Sequence, residues 1–215
     1  MELTDLLRDD RRLRILFDEI RAIYSSADPL KQPNLYEHGL THIGRVIRNS
    51  FLISDEENVD QDTRTLILAA ALCHDLGYFS QAEDHVLDSV IKAPPLLQRA
   101  SFYPTDVELI NSIILAHSSK GKPPVTLPEK ILHVADKCDL LGYDGIVRQI
   151  LHQSREFRER DELCLSLQAE SDVLYHKLLK IGAGARFLQT RWEEAKSFLA
   201  QVVARRLELD PNIKN

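Results

Sequence analysis

The chain has 215 residues, 44% of them hydrophobic and 28% charged, as in ordinary globular proteins long enough to bury a sizeable core. Its formal net charge of −6 gives little general attraction to phosphate backbones or anionic membranes, so we expect neither a nucleic-acid scaffold nor a membrane protein. The N-terminal segment MELTDLLRDDRR lacks the apolar core of a signal peptide, and the three cysteines form no close pair. These features predict a soluble, cytoplasmic protein.

The first half of the sequence shows helical periodicity. Apolar residues recur with a period near 3.6 at about 2–25 and again at about 36–53, which predicts two amphipathic helices separated by a loop at 25–34. The run TLILAAALCHDLG (65–77) is apolar almost all the way round, which is typical of a helix buried in the core. Gly77 is its predicted C-terminal cap.

The second half is also predicted to be helical. Further helices are expected at about 81–92, 104–118 and 128–141, with loops at 93–104 and 118–128, and three more at about 144–208, broken near Gly182 and Gly184. No segment reads as a convincing strand, so the predicted class is all-α. We expect a single domain over 1–215, with a core at about 36–145 and a helical extension at about 146–208.

Histidines and aspartates are scattered along these helices in a pattern that suggests chemistry. They are His42, the adjacent pair His74–Asp75, His117 and Asp136. Imidazole and carboxylate groups are suitable ligands for divalent transition metals, and packed helices can project such ligands to one point. A carboxylate at the end of the most apolar helix is costly unless it is paired or bound to a metal. This cost favours a metal site.

Four stretches carry this pattern: HGLTHIGRV (38–46), ALCHDLGY (71–78), ILAHSSKG (114–121) and HVADKCDLLG (133–142). In their order H…HD…D they resemble the HD superfamily of metal-dependent phosphohydrolases. The C-terminal part, 175–203, looks like the tail of a subgroup of small, stand-alone bacterial members. The resemblance implies an HD-domain helical bundle with additional C-terminal helices. It also implies hydrolysis of a phosphoester or pyrophosphate bond in a nucleotide or another small phosphorylated metabolite by metal-activated water.

The resemblance also assigns roles to individual residues. It implies that His42, His74, Asp75 and Asp136 bind one divalent metal, which could be Mn, Fe, Mg, Co, Ni or Zn. Asp75 would also accept the proton of the attacking water. His117 would bind a second metal or contact substrate, or else be a satisfied histidine near a helix end.

A second metal and the substrate involve further residues. His85 could complete a dinuclear site with His117, or be an exposed histidine in an acidic segment. His38 lies one helical turn before His42 and could line the pocket or orient a ligand. Candidates for phosphate binding are Arg45 and Lys137, because matching segments of the family carry a basic residue there, and Lys120 or Lys122 in the SSKGK loop.

Two other functional classes remain open at this point. One is an HD-fold oxygenase with two irons, which needs the full second set of ligands, and the other is a non-catalytic ligand-binding module. The His74–Asp75 pair is followed by LGYF, so the chain lacks the HDxxED extension of alarmone hydrolases. It also lacks the GYP segment of cyclic-di-GMP phosphodiesterases. A small phosphorylated substrate, most simply a nucleotide, is therefore the expected partner, and a homodimer is left open.

Overall fold

The computed structural model describes residues 3–26, 38–79, 84–118, 122–153 and 160–209. The α-helices in these ranges are α1 (Leu3–Leu7), α2 (Arg11–Ser25), α3 (Leu40–Glu56), α4 (Gln61–Cys73), α5 (His85–Arg99), α6 (Pro104–Leu115), α7 (Leu127–Lys137), α8 (Gly142–Gln153), α9 (Arg160–Leu179) and α10 (Ala185–Leu209). Short 3-10 helices follow α4 at Leu76–Phe79 and α7 at Cys138–Leu140. The described residues contain no strand, which confirms the all-α class. Nor is any helix among them long and apolar enough to cross a membrane.

The chain divides into two compact units, Met1–Asp136 and Lys137–Asn215. In the first unit α4 packs against α2, α3, α5 and α6. Every residue from Ile67 to Cys73 is at most 2% exposed, so α4 is buried on all sides, as its continuous apolar run predicts. This central helix carries the His74–Asp75 pair at its C-terminal end. The prediction of one domain with a core and an extension stays a prediction.

The start of the chain differs from the single helix predicted at 2–25. Two helices, α1 and α2, occupy this segment, with a break at residues 8–10. The Asp10 side chain accepts a hydrogen bond from the backbone N–H of Arg12 at 2.7 Å and so caps the start of α2. A capping aspartate satisfies one of the free N–H groups of a helix start, which explains why a new helix begins here.

The loop predicted at 93–104 is wrong in its first half. Helix α5 continues through Pro94 and Pro95 to Arg99. Each proline lacks the backbone N–H that a helix uses for a hydrogen bond, which disfavours a helix here. The neighbouring side chains of Ala93, Leu96 and Leu97, however, are at most 5% exposed. Burial of this apolar face keeps the segment helical where local propensity alone opposes it. The remaining predicted helices of the first unit differ from the structure at their ends.

The second unit contains α8, α9 and α10, the three helices predicted at 144–208. A buried apolar cluster holds them together: Ile146, Leu163, Cys164, Leu167, Ala195 and Leu199. The chain turns between α9 and α10 at Gly182 and Gly184, whose φ angles are +80° and +64°. Side chains strain the backbone in that region, so glycine suits both positions.

Candidate metal centre

Four of the predicted ligands converge in the first unit. His42 lies in the first turn of α3, His74 and Asp75 follow the last residue of α4, and Asp136 is close to the end of α7. Their exposures are 3%, 0%, 2% and 8%, so all four polar groups are buried. Burial of this kind is unfavourable unless the groups compensate one another or bind a cation.

The distances between these side chains suit a single metal ion. The Nε2 atoms of His42 and His74 lie 3.3 Å apart, and each is 3.3 Å from Oδ2 of Asp75. Oδ1 of Asp136 lies 3.4 Å from Nε2 of His42 and 3.9 Å from Nε2 of His74. Metal–ligand bonds of about 2.0–2.2 Å place neighbouring ligand atoms roughly 3.0–3.6 Å apart. The buried cluster therefore fits a divalent cation.

The hydrogen bond of His74 to its own helix prepares this residue for ligation. Its Nδ1 lies 2.8 Å from the carbonyl oxygen of Ala71, which can only accept, so Nδ1 carries the proton and donates it. In the neutral imidazole, Nε2 then presents a lone pair to the centre of the cluster. A carbonyl partner of this kind is the usual support of a metal-binding histidine.

The charges in the cluster also favour a metal site. Burial opposes the charged form of His74, but the carboxylates of Asp75 and Asp136 outweigh it and raise the pKa of His74. Burial would raise the pKa of Asp75, yet the charge of His74 and hydrogen bonds from three histidines hold it well below the usual value. The buried Asp75 carboxylate thus stays ionised and attracts positive charge, which a divalent cation would supply.

A second group of ligand atoms lies on the other side of Asp75. Oδ1 of Asp75 is 3.7 Å from Nε2 of His117, whereas Oδ2 faces the first set. One ligand atom each from Asp75, His85 and His117 lies within 4.8 Å of the others. His117 is 1% exposed, and its Nδ1 donates to the carbonyl of Ile114 at 2.6 Å. Asp75, His85 and His117 would hold a second cation on this side of Asp75.

The backbone around Gly77 positions His85. A Cβ atom on Gly77 would clash with the backbone carbonyl of His85, so glycine allows the 3-10 helix to pack against the start of α5. The N–H of Gly77 donates to Oγ of Ser89 at 2.8 Å, and this hydroxyl donates to the His85 carbonyl at 2.7 Å. Glycine is therefore needed at position 77 because the two backbone segments approach each other closely here. The prediction of Gly77 as the C-terminal cap of α4 is wrong, because α4 already ends at Cys73.

The predicted substrate-binding residues fall in different places. His38 is adjacent to the metal cluster, with Nδ1 2.7 Å from Oδ2 of Asp75 and a side chain that is 26% exposed. Arg45 is half-buried on α3, three residues after His42. Lys137 is half-buried and begins the second unit, and Lys120 lies outside the described residues. Their roles toward substrate stay predictions.

Two neighbours of the centre lie inside the matching stretches but are not among the predicted site residues. His133 is buried on α7, and its Nδ1 lies 3.0 Å from the carbonyl of Ala116, so it ties α7 to the residue preceding His117. Tyr78 stacks against His38 and His85, with ring centroids 4.1 and 4.4 Å apart and interplanar angles of 21° and 16°. Only its position three residues after the His–Asp pair could have suggested this.

Comparison with protein families identifies the domain. The family model of the HD domain matches residues 39–141, a range that includes His42, the His74–Asp75 pair, His117 and Asp136. Residues 39–141 of the chain therefore form an HD domain, which confirms the resemblance to the HD superfamily seen in the sequence. No curated protein sequence matches the chain.

Solved structures share the fold over almost the whole length. A predicted HD superfamily hydrolase from an uncultured Thermotogales bacterium is 22% identical, with a TM-score of 0.64 over 97% of this chain and 98% of its own. YpgQ of Bacillus subtilis, in complex with ADP, is also 22% identical, with a TM-score of 0.60 over 94% of this chain and 98% of its own. An HD-superfamily hydrolase from Bacillus thuringiensis is 19% identical, with a TM-score of 0.56 over 87% of this chain and 96% of its own.

Proposed function

We propose that this chain is a metal-dependent phosphohydrolase that cleaves a phosphoester or pyrophosphate bond in a nucleotide or another small phosphorylated metabolite. The observation that carries the proposal is the convergence of His42, His74, Asp75 and Asp136 within distances that fit one divalent cation. The HD family assignment supports hydrolysis as the reaction.

The chemistry follows from the ligand set. A divalent cation held there would lower the pKa of water toward about 7 and offset charge on phosphoryl oxygens. Asp75 would accept the proton of the attacking water, since its ionised carboxylate has a second oxygen directed away from His42 and His74 toward His117. Binding of a cation also requires both histidines to be neutral, which couples metal affinity to pH.

His117 has a defined protonation state in this site. Burial is the main reason that its pKa falls to about 4, so its ring is neutral at pH 7. Because Nδ1 donates to Ile114, the Nε2 atom carries a lone pair rather than a proton. His117 is therefore suited to bind a second cation, and not to donate a proton to a leaving group.

The nature of the substrate is the finer part of the proposal. His38, Arg45, Lys137 and Lys120 would bind the phosphate groups, because each offers a ring nitrogen or a cationic side chain. The complex of Bacillus subtilis YpgQ with ADP supports a nucleotide, since that protein shares the fold. We also propose a cytoplasmic location for the protein, and a homodimer stays a prediction.

The test is a phosphate-release screen with metal-stripped protein. Nucleotides and other small phosphoesters are incubated with Mn²⁺, Mg²⁺, Co²⁺ or Ni²⁺, and release is expected only when metal is added back. Asp75→Ala and Asp136→Ala should abolish both metal binding and release with the fold retained. Asp18→Ala is the matched control, because its carboxylate is 65% exposed on α2.

Three outcomes would contradict the proposal. Full activity of Asp75→Ala would refute the site assignment. Iron-dependent oxygen uptake without phosphate release would instead indicate an oxygenase. Metal binding without turnover of any substrate would indicate a ligand-binding module.

A further inference from the structure

Aromatic rings form a closed circuit around the Asp75 carboxylate. Its members are, in order, His38, His42, His74, His117, His85 and Tyr78, and neighbouring ring centroids lie between 4.1 and 5.7 Å apart. Asp75 lies within 3.7 Å of a ring nitrogen of four of these histidines. Tyr78 is the one member of the circuit without a side-chain nitrogen or carboxylate that could bind a metal.

The histidines of this circuit are held in two different ways. His74 and His117 are at most 1% exposed, and each is fixed by a hydrogen bond from Nδ1 to a carbonyl of its own helix end. His38 and His85 lie at the part-exposed side, where each packs one ring face on Tyr78. The last torsion of a histidine side chain is broad, so a part-exposed ring needs a neighbour to define its plane.

We propose that Tyr78 is a positioning residue that holds the rings of His38 and His85 in fixed orientations beside Asp75. The inference rests on the proposed metal centre and adds a residue to it. Because both ring faces of Tyr78 are covered by imidazoles, neither is available to stack on a substrate base. Loss of the ring should therefore weaken metal binding at this side of the centre.

Two substitutions separate the ring from the hydroxyl group. Tyr78→Phe keeps both stacking contacts, whereas Tyr78→Leu keeps an apolar side chain but removes the aromatic ring. The measurements are Mn²⁺ affinity by titration calorimetry on metal-stripped protein and the visible absorption spectrum of the Co²⁺-loaded protein. Tyr78→Leu should weaken the weakest-bound Mn²⁺ about tenfold, as losses of supporting residues commonly do, and should shift the Co²⁺ spectrum. Tyr78→Phe should stay within about twofold of the wild type.

The controls keep this test independent of folding. Tyr103→Leu, at a tyrosine that is 70% exposed, should change neither the affinity nor the spectrum. Thermal unfolding of each variant shows whether it folds. In a His38→Ala/His85→Ala background, Tyr78→Leu should have no further effect, because a positioning residue acts only through the rings that it holds.

The proposal is overturned if Tyr78→Leu binds Mn²⁺ as the wild type does, or if Tyr78→Phe is as weak as Tyr78→Leu. It is also overturned if the loss persists undiminished in the double-alanine background. These measurements need no substrate. A wild-type protein that binds Mn²⁺ but releases no phosphate would refute the proposed hydrolase and leave the role of Tyr78 standing.

Discussion

We predict that Glu129→Gln lowers the free energy of unfolding by about 3 kcal/mol at pH 7. Glu129 is 1% exposed in the first turn of α7. Its Oε1 accepts from the Ser112 hydroxyl at 2.7 Å and the Lys122 ammonium at 3.0 Å, and Oε2 accepts from the N–H groups of Val125 and Thr126 at 2.8 and 2.9 Å. Burial would raise the pKa of Glu129, but these donors outweigh it and lower the pKa to about 2. The fall from 4.5 corresponds to about 3 kcal/mol, at about 1.4 kcal/mol per pH unit.

The charge of Glu129 also predicts how stability depends on pH. Because the pKa of Glu129 is lower in the folded state, its stabilisation is fully present above the unfolded value near 4.5. The stabilisation is lost as the pH falls from there toward 2. The difference between the wild type and Glu129→Gln should therefore narrow by about 1 kcal/mol between pH 7 and pH 4.

Urea unfolding followed by circular dichroism measures both effects. Glu108→Gln is the matched control, because Glu108 is exposed on α6, and it should change stability by less than about 0.5 kcal/mol. A Glu129→Gln variant as stable as the control at pH 7 would refute the reasoning. So would a difference from the wild type that does not change between the two pH values.

Three further outcomes follow from the site. Gly77→Ala should destabilise the first unit by at least about 2 kcal/mol in urea unfolding, since the new methyl group meets the backbone of His85. Gly44→Ala, whose Cβ finds only an ordinary contact, should be neutral or stabilising, so equal losses in the two variants would contradict this. Mn²⁺ at a hundred times its dissociation constant should add about 2.7 kcal/mol to the stability of metal-stripped protein. Thermal unfolding measures this gain, and an equal gain in Asp75→Ala would place the ion elsewhere. Arg45→Ala should raise the Michaelis constant about tenfold or more without changing Mn²⁺ affinity, and unchanged steady-state kinetics would remove its assigned role.

The order of the helices could be predicted because each depends on local signals. The apolar run that forms α4 has no polar face, so its burial follows from the sequence alone. The continuation of α5 past Pro94 and Pro95 could not be predicted, because it depends on buried contacts of Ala93, Leu96 and Leu97 with other elements. Tertiary packing overrides propensity there.

The candidate ligands could be predicted for a different reason. His42, His74, Asp75 and Asp136 stand in an ordered pattern that resembles a family, and residue type limits the chemistry available to them. The stacking of Tyr78 on His38 and His85 could not be predicted in the same way. These contacts join the segment before α3, the 3-10 helix and α5, and no spacing in the sequence encodes them.

Side chains near the centre form hydrogen bonds with the backbone of residues next to the ligands. Nδ2 of Asn49, on the helix that carries His42, donates to the carbonyl of Ala135 at 3.1 Å, directly before Asp136. His133 similarly contacts the carbonyl of Ala116, directly before His117. Each of these hydrogen bonds goes to the backbone carbonyl beside a ligand and uses none of the ligand's own side-chain atoms. Hydrogen bonds to the adjacent backbone would fix the position of each ligand residue and leave its side chain able to bind a cation, so that helices distant in sequence present one set of ligands.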